Sequence, residues 1–181
     1  GILLRGRDTL IQNNTFRMAE GWGVSFWTYL GKYPEAGPIP ARVRIVENTF
    51  YGVGGTMGAI MSRYPNGEKP VARSIRGVEI LGNRFIDPVT PVVDFEGVSG
   101  ILISGNEVVR SKEWKSQLPT AWFMFDNCDG IRLEKNKIDD QVKGVASAVL
   151  LSRSVPKGGT GYAAKDNTFK MNGGELLKDE R

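Results

Sequence analysis

Three acidic residues, Asp94, Glu96 and Asp126, lie in two stretches of the sequence that resemble each other. VVDFEGVSGILISGNEVV spans residues 92–109, and FMFDNCDGIRLEKNKI repeats its rhythm over residues 123–138. The chain contains no histidine and a single cysteine, Cys128. Ser-His and Cys-His nucleophile pairs and most zinc sites are therefore excluded. Acid–base chemistry must come from carboxylates, lysine, tyrosine or water, and paired carboxylates can divide the acid and base roles between them.

The elements that position these acids are revealed by a repeat. The pattern apolar-x-apolar-x-x-Asn-x-apolar occurs six times, at Asn14, Asn48, Asn83, Asn106, Asn136 and Asn167. The asparagines are spaced by 34, 35, 23, 30 and 31 residues. Such periods are typical of repeat architectures, in which each repeat is one unit that buries its apolar face only against its neighbours.

Each copy alternates apolar and polar residues, which predicts a short strand, a corner and a second short strand. A third strand follows in each period, as in GVSFW at 23–27 and VVDFE at 92–96. Three short strands per period predict an all-β, right-handed parallel β-helix of about six coils stacked about 4.8 Å apart. The asparagines would form a ladder, with Asn48 in a left-handed conformation at its corner. An antiparallel β-sandwich is the alternative, but it would favour two-residue hairpin turns, and the only Asn-Gly lies in an insertion.

The whole chain, residues 1–181, is predicted to be a single β-helix domain with insertions at one recurrent corner. These insertions are 28–41, 64–77 and 154–161. Where that corner is short, Val98 and Cys128 occupy matching positions, and Cys128 is predicted to be a buried filler rather than a reactive thiol. Gly1 begins within a repeat, so we expect the chain to be part of a longer solenoid or to pack against another copy at its open end.

The candidate site follows from aligning the third strands. Val93 is matched with Ile60, Phe123 and Leu150, and Phe95 with Phe26, Ser62, Phe125 and Ser152. The alignment predicts two outward columns: Trp27, Arg63, Glu96, Asp126 and Arg153 in one, and Ser25, Met61, Asp94, Met124 and Leu151 in the other.

In the first column, Glu96 and Asp126 would be adjacent, with carboxyl groups about 5 to 6 Å apart, near the separation in retaining glycosidases. They are the predicted catalytic residues, with their roles unassigned. Trp27 and an outward Trp122 would stack on sugar rings. Arg63, Arg153 and Asp94 would complete substrate binding. The alternative is a charge-balanced ladder on a solvated sheet face.

Several stretches, GRDTLIQNNTF, GVSFW, GPIPARVRIVENTF and GVEILGNRFID, resemble the repeats of parallel β-helix carbohydrate-active enzymes. GPIPARVRIVENTF is similar to a recurring stretch of the α-1,3-galactosidase family of glycoside hydrolases. The resemblance implies a carbohydrate-active β-helix, of which this chain would be the C-terminal portion of a longer enzyme, in an extracellular or periplasmic location. The family's catalytic pair is two aspartates, and no aspartate of this chain matches that motif.

The predicted partner is therefore an oligosaccharide or polysaccharide. The formal charge of +4 comes from basic residues scattered along the chain, which does not predict a nucleic-acid surface. No apolar run is long enough to span a membrane. No cofactor or metal site is predicted. A polysaccharide lyase, which would need a calcium-binding cluster of acids, remains an alternative, as does a non-catalytic glycan-binding adhesin or spike module.

Overall fold

We describe the protein from a computed structural model. It describes residues 1–17, 21–27, 38–54, 58–63, 73–111, 120–158 and 160–181, with the backbone alone for Trp27 and Arg63. These residues form nineteen strands, in chain order β1 (Ile2–Leu4), β2 (Arg7–Gln12), β3 (Thr15–Arg17), β4 (Val24–Trp27), β5 (Ala41–Val46), β6 (Thr49–Tyr51), β7 (Ile60–Arg63), β8 (Ile75–Leu81), β9 (Arg84–Ile86), β10 (Val93–Glu96), β11 (Val98–Ser104), β12 (Glu107–Arg110), β13 (Ala121–Asp126), β14 (Asp129–Glu134), β15 (Lys137–Asp140), β16 (Ser147–Leu151), β17 (Tyr162–Lys165), β18 (Thr168–Met171) and β19 (Glu175–Asp179). No helix of the described residues is long and apolar enough to cross a membrane.

The strands form three sheets, and the chain visits the sheets in a fixed rotation. Sheet A contains β1, β4, β7, β10, β13, β16 and β19; sheet B contains β2, β5, β8, β11, β14 and β17; sheet C contains β3, β6, β9, β12, β15 and β18. Each strand pairs in parallel with the strand three positions along the chain. The predicted parallel β-helix of about six coils is therefore confirmed.

The interior is filled by the inward half of the period-two alternation. Val93, Phe95, Val98, Ile101 and Ile103 are all buried. Identical positions of successive coils also stack: the ring centroids of Phe16 and Phe50 are 4.7 Å apart with a 5° interplanar angle, and those of Phe50 and Phe85 are 4.8 Å apart. The aromatic stacking repeats the strand spacing because each coil places the same residue type at the same point.

The predicted asparagine ladder is confirmed at the corner between sheets B and C. In each step, one asparagine accepts hydrogen bonds at its Oδ1 from both the backbone N–H and the Nδ2 of the asparagine one coil earlier. From Asn48 to Asn83 these distances are 2.8 and 3.0 Å, and from Asn83 to Asn106 they are 2.8 and 3.0 Å. The side-chain Nδ2 also donates to a backbone carbonyl of the preceding coil, as from Asn83 to Ile45 at 2.8 Å.

The left-handed conformation at this corner lies one residue earlier than predicted. Asn48 was expected to adopt it, but the positive φ belongs to the preceding residue in every coil: Asn13, Glu47, Gly82, Gly105, Lys135 and Asp166. The asparagine itself keeps a negative φ, which holds its side-chain amide in the ladder. The residue before it therefore makes the turn.

A second column of left-handed residues crosses the strands of sheet B. Its members are Asp8, Arg42, Gly77, Gly100 and Gly130, each with φ between 52° and 69°. A left-handed residue inside a strand interrupts the pleat and redirects the chain, as in a β-bulge. Three of the five positions are glycine, which adopts this conformation without a steric penalty.

Three long connections occur between sheets A and B, where they join β4 to β5, β7 to β8 and β16 to β17, and a fourth joins β12 of sheet C to β13 of sheet A. The insertions predicted at 28–41 and 64–77 overlap the first residues of two strands of sheet B. Ala41 already belongs to β5, and Ile75, Arg76 and Gly77 belong to β8. Residues 28–37 and 64–72 of these insertions lie outside the described residues.

We predict that Asn83→Ala lowers the free energy of unfolding by about 2 to 4 kcal/mol. The substitution leaves the buried N–H of Asn48 without an acceptor and removes four further bonds made by the Asn83 amide. Chemical denaturation measures the loss. Asn14→Ala is the matched control, since Asn14 is exposed at the end of the ladder, and should cost less than about 1 kcal/mol. Equal losses would contradict a cooperative ladder.

Candidate functional site

Glu96 and Asp126 are neighbours on the outside of sheet A, as predicted. They are Cα partners in the parallel pairing of β10 with β13, and each is the last residue of its strand. Glu96 is half-buried and Asp126 is exposed. Adjacent strands are about 4.8 Å apart, so two carboxyl groups in register lie within reach of one sugar unit.

Each of the two residues is held by serine hydroxyls. The Ser62 Oγ accepts a hydrogen bond from the Glu96 N–H at 2.9 Å and donates to the Glu96 carbonyl at 2.9 Å, which locks the Glu96 backbone to the preceding coil. On the other side, the Ser152 Oγ donates to the Asp126 carboxylate at 2.6 Å, and the Ser154 Oγ donates to the same oxygen. The Asp126 carboxylate therefore has a defined orientation.

Arg153 is displaced from the predicted column. The pairing of β13 with β16 places Phe123 opposite Val149 and Phe125 opposite Leu151, one residue earlier than the predicted Leu150 and Ser152. The prediction was wrong in this coil because the connection after β16 is long. The strand could therefore not be aligned by counting residues back from a short corner. Continuing the register puts Ser152 beside Asp126, in agreement with its hydrogen bond, while Arg153 lies exposed in the following turn.

Trp122 is fully buried, so the prediction that it faces outward and stacks on sugar rings is wrong. Its Nε1 donates to the Asp140 carboxylate at 3.1 Å, and the Arg110 guanidinium lies 5.2 Å from the indole centroid. Arg110 and Asp140 form a buried ion pair with an Nε–Oδ1 distance of 2.7 Å. This cluster satisfies the indole N–H inside the protein, which allows a large amphipathic side chain to be buried there.

The other predicted substrate-binding residues are only partly described. Asp94 is the partner of Met61 and Met124 in sheet A, as predicted, but its exposed fraction is only 7%, and Met61 in the same column is fully buried. The outward face of sheet A is thus not an open solvated face at these positions. The Trp27 and Arg63 backbones are partners in register, while their side chains lie outside the described part of the structure.

The described residues form no metal-binding cluster. Within those residues, no group of three histidine, cysteine, aspartate or glutamate side chains is arranged to hold a metal ion. Cys128 is buried, its Sγ donates to the Asp126 carbonyl at 3.2 Å, and burial raises the pKa of its thiol to about 12. It is the inert filler that the sequence predicted.

Sequence reasoning missed an arginine-rich surface on sheet B. We call it the arginine groove and define it by Arg7, Arg42, Arg44, Arg73, Arg76 and Arg132, which line two adjoining depressions of about 380 and 530 Å³. These arginines are far apart in sequence, so the charge appeared scattered. The signal that would have revealed them was the alignment of the sheet B strands, because coil stacking brings equivalent positions together.

The sequence matches no protein-family model and no curated protein. The resemblance to the α-1,3-galactosidase family therefore has no support from these comparisons, and the function must be argued from the geometry.

We predict that Asp140→Ala lowers the free energy of unfolding by about 3 to 5 kcal/mol, because it leaves the Arg110 charge buried without its partner. Denaturant titration measures this loss. The control is Glu107→Ala, which removes the exposed ion pair with Arg84 on the same sheet and should cost at most about 1 kcal/mol. A loss for Asp140→Ala as small as that of the control would show that the buried Arg110–Asp140 pair does not stabilise the folded protein.

We also predict that Cys128 resists alkylation in the folded protein up to about pH 10, since its pKa of about 12 keeps the buried thiol protonated. Iodoacetamide labelling followed by intact mass measures the rate, with the chain in guanidinium chloride as the reactive reference. Native labelling as fast as in the unfolded chain would refute the predicted burial.

Proposed function

We propose that this protein is a glycoside hydrolase acting on a polysaccharide, with Glu96 and Asp126 as its catalytic pair. The observation that carries the proposal is the register of β10 and β13, which makes the two acids direct neighbours on the outer edge of sheet A. Two carboxyl groups on either side of a glycosidic bond are the common requirement of this chemistry.

The surroundings of the two acids suggest separate roles. Asp126 is exposed and oriented by two serine hydroxyls, which suits the nucleophile that attacks the anomeric carbon. Glu96 is half-buried on a backbone fixed by Ser62, which suits the general acid. In the first step, Glu96 protonates the leaving oxygen while Asp126 forms a glycosyl ester. In the second, Glu96 accepts a proton from water, whose oxygen displaces Asp126 from the sugar.

The spacing of the pair suggests the stereochemical outcome. Carboxyl groups about 5 Å apart are typical of retaining enzymes, whereas inverting enzymes place them farther apart to admit a water molecule. Neighbouring coils about 4.8 Å apart fit the retaining arrangement. A linear glycan suits a solenoid because equivalent edge positions repeat along the axis.

We predict that Glu96→Gln and Asp126→Asn each lower the rate of hydrolysis by about 10²- to 10⁴-fold, because each removes one partner in proton transfer or nucleophilic attack. The assay measures reducing sugars released from α-galactosides and anionic polysaccharides. Glu107→Gln, on the outside of sheet C, is the control and should retain activity. NMR of the first-formed sugar should show the substrate's anomeric configuration.

Three results would contradict the proposal. One is the absence of products from every polysaccharide, the second is full activity of both variants, and the third is unsaturated products, which indicate a lyase.

A non-catalytic glycan-binding module is the second candidate. It is favoured by the hydrogen bonds of Asp126 to Ser152 and Ser154, since a carboxylate engaged in this way also stabilises the turn that follows β16. Retained glycan binding without any product would support it over hydrolysis.

A further inference from the structure

We propose that the arginine groove on the outside of sheet B binds a chain of acidic polysaccharide, that is, a glycan with carboxylate groups on its sugars. This inference goes beyond the proposed hydrolysis and does not depend on it. The groove lies on a different sheet from Glu96 and Asp126 and contains neither residue.

The shape of the groove follows from the second column of left-handed residues. Gly77, Gly100 and Gly130 lie one above another on consecutive coils, and all three line the depression of about 380 Å³. Without side chains at these positions, a ligand can approach the backbone closely. Arg42 and Gly77 also line the second depression, so the two form one continuous surface.

The groove concentrates positive charge on one sheet. Its described lining contains six arginines and one glutamate, a formal charge of +5, which falls to +3 when the paired Asp8 and Asp129 are included. Several arginines are partly compensated: Arg42 pairs with Asp8, Arg44 with Glu79 at 3.0 Å, and Arg73 with Asp129 at 3.3 Å.

Arg76 and Arg132 are both exposed and have no ion pair within the described residues. Their guanidinium groups are available for two-point hydrogen bonds to a carboxylate. They lie two coils apart, so they could engage different sugars of one chain. The arginines extend from the coil of β2 to that of β14, about 19 Å along the axis, which is the length of several sugar units.

The composition of the groove favours an acidic glycan over a nucleic acid. Glu79 lies within the arginine set, where it is paired with Arg44, and its carboxylate can accept hydrogen bonds from sugar hydroxyls. None of the described lining residues is aromatic, so the groove offers no ring on which bases would stack. Carboxylates for the arginines and hydroxyls for Glu79 occur together on one type of chain, an acidic polysaccharide.

The test measures binding of polygalacturonate to the full chain, with neutral dextran and oligothymidylate as comparison ligands, at several salt concentrations. We expect binding to polygalacturonate. The Arg76→Ala Arg132→Ala variant should bind it at least about tenfold more weakly and show a shallower salt dependence, because two charge contacts are lost. The control, Lys137→Ala Lys170→Ala, removes the same charge from the exposed face of sheet C and should bind within about twofold of wild type.

A second variant makes the test independent of arginine removal. Leu102→Glu adds a negative charge at a half-buried outward position between Glu79 and Arg132, and should weaken polygalacturonate binding without loss of an arginine. Thermal unfolding of each variant verifies that it is folded.

The proposal is overturned if wild type does not bind polygalacturonate or if the sheet C control loses as much affinity as the groove variant. It is also overturned if oligothymidylate binds as tightly with the same arginine dependence, since the groove would then serve nucleic acid. Glu96→Gln and Asp126→Asn should leave polygalacturonate affinity in the groove within about twofold. Failure of the hydrolysis proposal is thus distinguishable from failure of this one.

Discussion

Hydrogen bonding along the solenoid axis is the constraint on which the rest of the structure depends. At the corner between sheets B and C, the asparagine amides link each coil to both of its neighbours and also hold backbone carbonyls of the earlier coil. A buried corner without such partners would leave N–H and carbonyl groups unsatisfied, at a cost of about 1 to 3 kcal/mol for each group. The ladder thereby keeps the coils in register, and register determines which side chains become neighbours.

Both functional proposals are consequences of that register. Glu96 meets Asp126 only because β10 and β13 align without a shift, and the arginines of sheet B converge only because equivalent positions stack. In a parallel sheet, a shift by one residue would move every outward side chain to the interior. The relative positions of the outward side chains therefore depend on the register that the corner asparagines maintain.

The architecture could be predicted from the sequence because the coil repeats a local signal. Asn48, Phe50 and their counterparts recur with matching neighbours, and the inward positions of Val93, Phe95 and Cys128 follow from simple alternation. Prediction failed where position depended on chain connections or on long-range partners. The strand Ser147–Leu151 was misaligned by one residue. The connection that follows it is long, so its alignment could not be counted from a short corner.

Trp122 illustrates the second kind of failure. Alternation in its strand indicates an outward indole, but Arg110 and Asp140 from two other strands provide a buried ion pair that accepts it. The arginine groove was missed for the same reason, because its members are dispersed between residues 7 and 132 and only the stacked coils bring them together. The relation between Glu96 and Asp126 could be predicted because a short corner follows each of them and fixes the alignment of their strands.

The spacing of the ladder also indicates how such a chain can change during evolution. The step from Asn83 to Asn106 takes 23 residues and still completes all three sheets, so this length suffices for one coil. The step from Asn48 to Asn83 takes 35 residues, twelve more than that minimum. A coil can therefore lengthen by this amount while the asparagine step stays the same, so one region of the surface can diversify while the scaffold beneath it is kept.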